Sequence, residues 1–248
     1  HGLHDVLRQH SYKLSGVVNG IDTEVFDPAV DPLLYANFNA ETLDKKAENK
    51  CFLQQRLGLA VREDVPMVIM ITRLVGHKGV DLIQAVMDDL MWDDLQLVII
   101  GTGEWQYENM FRAYAANFPA KLSANIVFDN TLAHQAYAGG DLVLMPSKQE
   151  PCGLTQLIAM RYGTVPIVRE TGGLLDTVPA YNPETGEGNG FTFKSYNAHD
   201  MLDAVRRAES LFRDKERWTA LQKSVMAYDS SWKRSVQDYW NIYRDMTG

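Results

Sequence analysis

Three short stretches of this chain carry the charges and bare backbone that a phosphate-bearing ligand requires. In RLVGHKG (73–79), Arg73 and Lys78 bracket a loop that also holds Gly76 and Gly79. Arginine offers a planar fork to phosphate oxygens and lysine a point charge, so the pair suits a diphosphate. Taken alone, two surface cations beside a turn explain the same residues. In PSKQEPCGLTQL (146–157), Glu150 precedes Pro151, a residue suited to the first turn of a helix. A carboxylate there is stabilised by the helix dipole, and its simplest role is that of a capping acid. Cys152 falls in the same turn, where it reads either as a reactive thiol or as a small packing residue. In RETGGLLDTV (169–178), Thr171, Gly172 and Gly173 offer backbone N–H groups at the start of a helix, which is an anion cradle in form and also a common turn. A fourth stretch, GTGEW (101–105), lacks the third glycine of a dinucleotide fingerprint and the Lys-Ser/Thr of a P-loop. Gly103 reads as a tight turn there, and Gly101 is left open as ligand-facing backbone.

The elements that must position these loops are legible from hydrophobic patterning. Continuous apolar runs at 65–74 and 95–103, and shorter ones at 124–129, 141–147, 164–170 and 190–193, predict strands buried on both faces. Helical spacing predicts helices over 40–57 (closed by Gly58), 79–91, 104–118, 132–140, 153–163 and 172–178, with three more at 198–213, 215–228 and 231–246. Residues 1–50 carry little periodicity before the first of these helices and read as a surface-running lead-in. Strands alternating with helices through short loops predict an α/β fold: a Rossmann-like, mainly parallel sheet with helices on both faces. Ligands of such sheets bind at the carboxyl ends of the strands. All four stretches fall on that edge, which chance explains less well than a phosphate-bearing ligand does.

Composition excludes several alternatives. The net charge is −8 and Lys and Arg are scattered, so duplex nucleic acid is not an expected partner. The longest apolar runs fall far short of the roughly 18–20 residues that span a bilayer, and the N-terminal HGLHDVLRQH has no apolar signal-peptide core, so no membrane is expected. Two cysteines, Cys51 and Cys152, give neither a disulfide framework nor a zinc spacing and fit a reducing compartment. No Asp-x-Asp pair of the kind that holds a metal in many transferases occurs.

Residues 146–178, PSKQEPCGLTQLIAMRYGTVPIVRETGGLLDTV, closely resemble the bacterial glycogen synthase and plant starch synthase family. The resemblance extends through KLSGVVNGIDTEVFDPAVD (13–31), ITRLVGHKGVDLI (71–83), GTGEWQYENMF (101–111) and LAHQAYAGGDLVLMPS (132–147). It implies one half of the two-domain GT-B fold, the half that holds most of the nucleotide. It further implies a retaining transfer of glucose, from ADP-glucose or UDP-glucose, to the nonreducing end of an α-1,4-glucan. Carried over by position, Arg73 and Lys78 resemble the family's cations on the diphosphate, and Glu150 the acid beside the transferred glucose. Cys152, Gly153 and Leu154 follow in the same motif, Thr171, Gly172 and Gly173 resemble the backbone cradle near the distal phosphate and sugar, and Phe128 takes the aromatic position that stacks on adenine. No cofactor or metal is implied. The implied division is a lead-in from the missing N-terminal domain over 1–35, the nucleotide-sugar-binding domain over 36–230 and a C-terminal helix over 231–248 that packs toward the missing domain. The implied location is cytoplasmic, or a plastid in a plant. The family's N-terminal Lys-x-Gly-Gly segment is not in the chain, so the cleft is half a cleft and the isolated chain is expected to be inactive. His77 stands before Lys78 where Gln is usual, and Glu170 where a second basic residue often precedes TGG. Ile158 occupies the position, eight after Glu150, where many relatives with other acceptors carry a second Glu. A noncatalytic nucleotide- or glucan-binding module, or a related retaining transferase with another acceptor, are the alternatives.

Overall fold

A computed structural model describes residues 2–247. Six strands, β1 (Met67–Ile71), β2 (Gln96–Ile100), β3 (Leu122–Asn125), β4 (Leu142–Met145), β5 (Val165–Arg169) and β6 (Phe191–Phe193), form one sheet in the order β3-β2-β1-β4-β5-β6. Every neighbouring pair is parallel. The four inner strands are apolar on both faces because helices cover both, and almost all of their side chains are buried. The helices are α1 (His4–Gln9), α2 (Asp44–Leu57), α3 (Val80–Ala85), α4 (Met87–Trp92), α5 (Trp105–Asn117), α6 (Asn130–Gly139), α7 (Thr155–Arg161), α8 (Gly173–Thr177), α9 (Ala198–Phe212), α10 (Lys215–Met226) and α11 (Trp232–Thr247). No described helix is long and apolar enough to cross a membrane.

The predicted Rossmann-like sheet is therefore observed, with four local differences. The helix expected over 79–91 is interrupted at Val86, whose φ of −125° breaks α3 from α4 while both halves stay buried on one side. The strand expected over 124–129 lies two residues earlier. Ile126–Asp129 leave the sheet because the Val127 N–H turns back onto Asn125 O, and the Asp129 carboxylate caps α6 at the Leu132 N–H. The helix expected from 153 starts at Thr155, which changes the setting of Glu150, as described below.

The fourth difference concerns the lead-in, which does not simply run over the surface. α1, unforeseen in the sequence, buries nothing, but Ile21, Asp31 and Phe38 are buried. Asp31 is tolerated there because its Oδ2 accepts from Tyr162 Oη at 2.6 Å and lies 2.7 Å from His134 Nδ1. That carboxylate thereby fastens the lead-in to α6 and to the end of α7.

Lys46 on α2 is buried and donates to Tyr137 O, Ala138 O and Thr164 Oγ1 at 2.9–3.2 Å, capping the last carbonyls of α6. Burial lowers its pKa to about 7, partly countered by Asp141. Above that pH the native lysine sheds a proton that the unfolded chain keeps until about pH 10, so the unfolded state binds more protons and stability rises with pH across this window. Urea unfolding between pH 7 and 10 should show this as a slope of up to about 1.4 kcal/mol per pH unit that is missing in Lys46→Met. Equal slopes in both proteins would contradict it.

Candidate active site

The strand order reverses between β1 and β4: from β1 the chain steps outward to β2 and β3, then returns to β4 on the other side of β1. The loops leaving these two strands diverge and open a crevice at their carboxyl ends. After β1, Arg73 is followed by a 3₁₀ turn over Gly76–Lys78. After β4, residues 146–154 form the facing loop. Across the crevice Lys78 Nζ lies 2.7 Å from Glu150 Oε2, and Ser147 Oγ donates to the same oxygen at 3.0 Å. The two charged side chains are only 19% and 10% exposed, so each compensates the other in a partly dry setting. The loops also meet through backbone, with the Lys148 N–H donating to His77 O at 2.9 Å. Gly79 sits at φ +79°, and a Cβ there would fall 2.2 Å from Pro146 O, so the turn that delivers Lys78 can rest on the β4 loop only as glycine. Arg73 is exposed, and its side chain makes no hydrogen bond or ion pair among the described residues.

The loop after β5 completes the same edge. Gly172, at φ +50°, packs so closely that a Cβ would lie 2.2 Å from Glu150 O. The Gly173 N–H already donates to Glu150 O at 3.0 Å and Pro151 O at 3.2 Å. The expected three-residue cradle is thus corrected. Gly173 is a packing residue that locks the Glu150 loop, while the Thr171 and Gly172 N–H groups have no partner among the described residues. The reading of Pro151 as a first-turn residue is corrected as well: α7 starts only at Thr155, so Glu150 is not a capping acid, and a cation and a hydroxyl hold it.

Of the remaining sequence-predicted residues, Leu154 precedes α7 and, with Gly153, lines the space beneath the Lys78–Glu150 pair. Cys152 Sγ accepts from the Asn19 N–H at 3.1 Å, so its thiol is engaged by the lead-in. The Gly101 N–H is taken by Asn125 O, and a Cβ there would meet Thr72 O at 1.8 Å, so close strand approach accounts for this glycine without a ligand. The Gly103 N–H goes to Glu108 Oε1, as a strand-to-helix turn requires. Glu170 accepts from Thr192 Oγ1 on β6. Phe128 is 95% exposed beyond β3, two strands from β1 and hence about 10 Å along the sheet from the cations. The structure brings together Arg73's loop, Lys78, Glu150 and the 171–173 turn, and leaves Phe128 apart at the sheet's edge. Sequence reasoning missed Ser147, although it stands in the same PSKQEP string, three residues before the acid it serves.

A larger cavity, about 250 Å³, lies elsewhere, between residues 16–20 of the lead-in and residues 228–238 around the start of α11. It includes none of the candidate residues. No cluster of three or more His, Cys, Asp or Glu side chains with metal-binding geometry occurs among the described residues.

Comparison with known proteins agrees with this fold. The chain is 52% identical over 242 residues to a glycogen synthase of Clostridium acetobutylicum, covering 97% of this chain and 51% of that protein. It is 50% identical over 244 residues to a glycogen synthase of Clostridioides difficile, with 98% and 51% covered. Its structure matches the catalytic domain of starch synthase IV from Arabidopsis thaliana, bound to ADP and acarbose, with a TM-score of 0.91 and 39% identity, covering 98% of this chain and 51% of that one. A sucrose-phosphate synthase from Thermosynechococcus elongatus shares the fold alone, at a TM-score of 0.65 and 18% identity. The chain spans about half the length of the curated relatives it matches. Residues 54–223 match the family described as "Glycosyl transferases group 1", the span that carries β1 through β6 and every loop of the crevice, and the chain belongs to that family.

Proposed function

We propose that this chain is the nucleotide-sugar-binding half of an α-1,4-glucan synthase of the glycogen and starch synthase type. The enzyme transfers glucose from ADP-glucose, or UDP-glucose, to the nonreducing end of a glucan, with retention of configuration and without a metal. The observation that carries the reading is the Lys78–Glu150 pair, set at the β1/β4 crevice with the unpaired Arg73 on the same loop.

In this reading the diphosphate lies over the 73–79 loop. Breaking the glucosyl–phosphate bond builds negative charge on the departing oxygen, and fixed cations stabilise that charge most when they are in place beforehand. Arg73 supplies a fork and Lys78 a point charge. Glu150 holds Lys78 in the crevice before the donor arrives and then orients the glucose hydroxyls. The Thr171 and Gly172 N–H groups face the distal phosphate. Phe128, about two strand spacings away, stacks on the base, a separation that matches the reach from a diphosphate to its nucleobase. Cys152, Gly153 and Leu154 shape the loop between acid and α7.

The acceptor site and the other wall of the cleft belong to a partner domain preceding this one, so the chain alone binds donor without turning it over. Residues 1–35 then form the lead-in from that domain and 36–230 the nucleotide-binding unit. Over 231–248, of which Gly248 lies outside the described residues, the chain packs toward the partner, and α11 exposes Trp232, Val236, Tyr239, Trp240, Tyr243 and Met246 at helical spacing along one face. The setting is cytoplasmic, with neither nucleic acid nor membrane as partner.

Calorimetric titration tests the donor site. ADP should bind this chain at sub-millimolar to millimolar concentration, equally with and without EDTA. Arg73→Ala should weaken it about tenfold or more, the worth of one charge-assisted contact. If neither ADP, UDP nor GDP bound at millimolar concentration, the proposal would be lost.

A further inference from the structure

Lys78 and Glu150 belong to separate loops, and a pair 2.7 Å apart can be preorganised only if something holds those loops in register. The contacts around the crevice identify a side chain that touches both. Tyr196 lies between the end of β6 and the N-cap of α9, Asn197. Its hydroxyl is 2.5 Å from Asp81 Oδ1, in the first turn of α3, and 3.1 Å from Gly76 O, the residue that opens the 3₁₀ turn ending in Lys78. One proton is shared between two acceptors. On the other side, the ring of Tyr196 receives two cations from the β4–β5 region: Lys148 Nζ at 5.4 Å and the Arg169 guanidinium at 5.7 Å from its centroid. Arg169 in turn donates to Ser147 O at 2.9 Å and Lys148 O at 2.5 Å, consecutive carbonyls of the stretch that leads into Glu150.

We infer that Tyr196 is a positioning residue for the diphosphate cations: its hydroxyl fixes the turn bearing Lys78, its cation-capped ring fixes the loop bearing Glu150, and the two loops keep their register through it.

The inference rests on the donor reading above, and it adds a residue outside the strings that carry the family resemblance. Three features favour positioning over simple packing. Tyr196 is only half-buried, packing against the edge of the core and not within it. Its hydroxyl proton is available at every relevant pH, because burial, and then the Asp81 carboxylate, push the phenol's pKa well up. Its acceptor Gly76 O lies in the same short turn as His77, whose carbonyl takes the Lys148 N–H, so one cross-loop hydrogen bond reports on the register directly. A preorganised site has to be held to about half an ångström, and a hydroxyl anchoring one loop to a neighbouring turn is a means of doing so.

The test uses Tyr196→Phe, which keeps the ring and its cations and removes only the hydroxyl. Amide hydrogen exchange without nucleotide should show the Lys148 N–H exchanging several-fold faster in the variant. The midpoint of thermal unfolding should fall by no more than about 4 °C, the usual effect of losing about one partly buried hydrogen bond in a domain of this size. By calorimetry the ADP dissociation constant should rise about three- to tenfold and that of AMP less than twofold, because the loss falls on cations that meet the distal phosphate. Tyr196→Leu, which also removes the ring, should enlarge both effects. Wild-type exchange at Lys148 in Tyr196→Phe, or an equal loss of ADP and AMP affinity, would overturn the inference. If the wild-type chain bound no nucleotide, the donor reading would fail by itself, and the Lys148 exchange rate would still decide whether Tyr196 holds the loops.

Discussion

Lys78→Met, placed in a two-domain enzyme that carries this chain, lowers kcat for glucosyl transfer by about 10²- to 10³-fold, the usual loss when one preorganised charge stabiliser is taken from a transition state. In the chain alone the same change weakens ADP binding by about 10- to 100-fold, because a charge-assisted phosphate contact is removed. It has a second consequence that could be mistaken for the first. Glu150 is only 10% exposed, and without Lys78 the one cation paired with it among the described residues is gone, leaving Ser147 as its side-chain partner. Removing one member of such a pair strands the other, at a cost of about 1–3 kcal/mol for a pair with this much residual solvent contact. The double variant Lys78→Met/Glu150→Gln separates the two effects. A neutral amide tolerates the crevice without a cation, so most of the lost stability returns, while ADP affinity and kcat stay low. If the double variant recovered nucleotide affinity together with its unfolding midpoint, Lys78 would be a structural partner of Glu150 and the proposed role would fall.

The second large effect falls on a residue without a side chain. Gly172→Ala should lower stability by about 2–4 kcal/mol. The backbone at φ +50°, ψ −135° is open to glycine and costly to any other residue, typically 1–3 kcal/mol. The added Cβ would also stand 2.2 Å from Glu150 O, a backbone atom that cannot turn aside as a side chain tip can. Relief requires the 171–173 turn and the Glu150 loop to separate, which breaks the bond from the Gly173 N–H to Glu150 O. For a domain of this size the loss corresponds to a fall of roughly 5–12 °C in the thermal midpoint. ADP affinity should fall with it, since the loop that moves is the one presenting Glu150 to Lys78. Differential scanning calorimetry decides the matter: a midpoint within 2 °C of wild type would mean that the close approach of the two loops is not a constraint on the fold.

These expectations divide according to what local sequence can encode. Hydrophobic period and length carry the strands and most helices, because a strand covered on both faces needs an unbroken apolar run whatever its neighbours are. They do not carry the break at Val86 or the early end of β3. Those depend on where buried side chains find room and on whether a backbone N–H meets the next strand or turns back, as that of Val127 does. The start of α7 was misplaced for a similar reason. Pro151 suits a first helical turn, yet the chain at 151–154 is held by Gly173 and the β5 loop, and the helix begins only after that obligation is met.

The inventory is legible along the chain: a parallel α/β sheet, the cations, acid and glycines that follow its strands, and, through the strings at 146–178, the family. Those properties are written in side-chain type and spacing, which local physics and a linear comparison can both read. The partnerships come from folding. Lys78 and Glu150 are 72 residues apart, Tyr196 and Gly76 are 120 apart, and Asp31 reaches Tyr162 across 131. Such pairs arise because parallel strands place their carboxyl ends side by side regardless of order in the chain, and no periodicity within a segment records which loop its end will meet. Gly173 shows the limit most directly: its type suggested a donor to a ligand, and the fold had already given that hydrogen to Glu150 O.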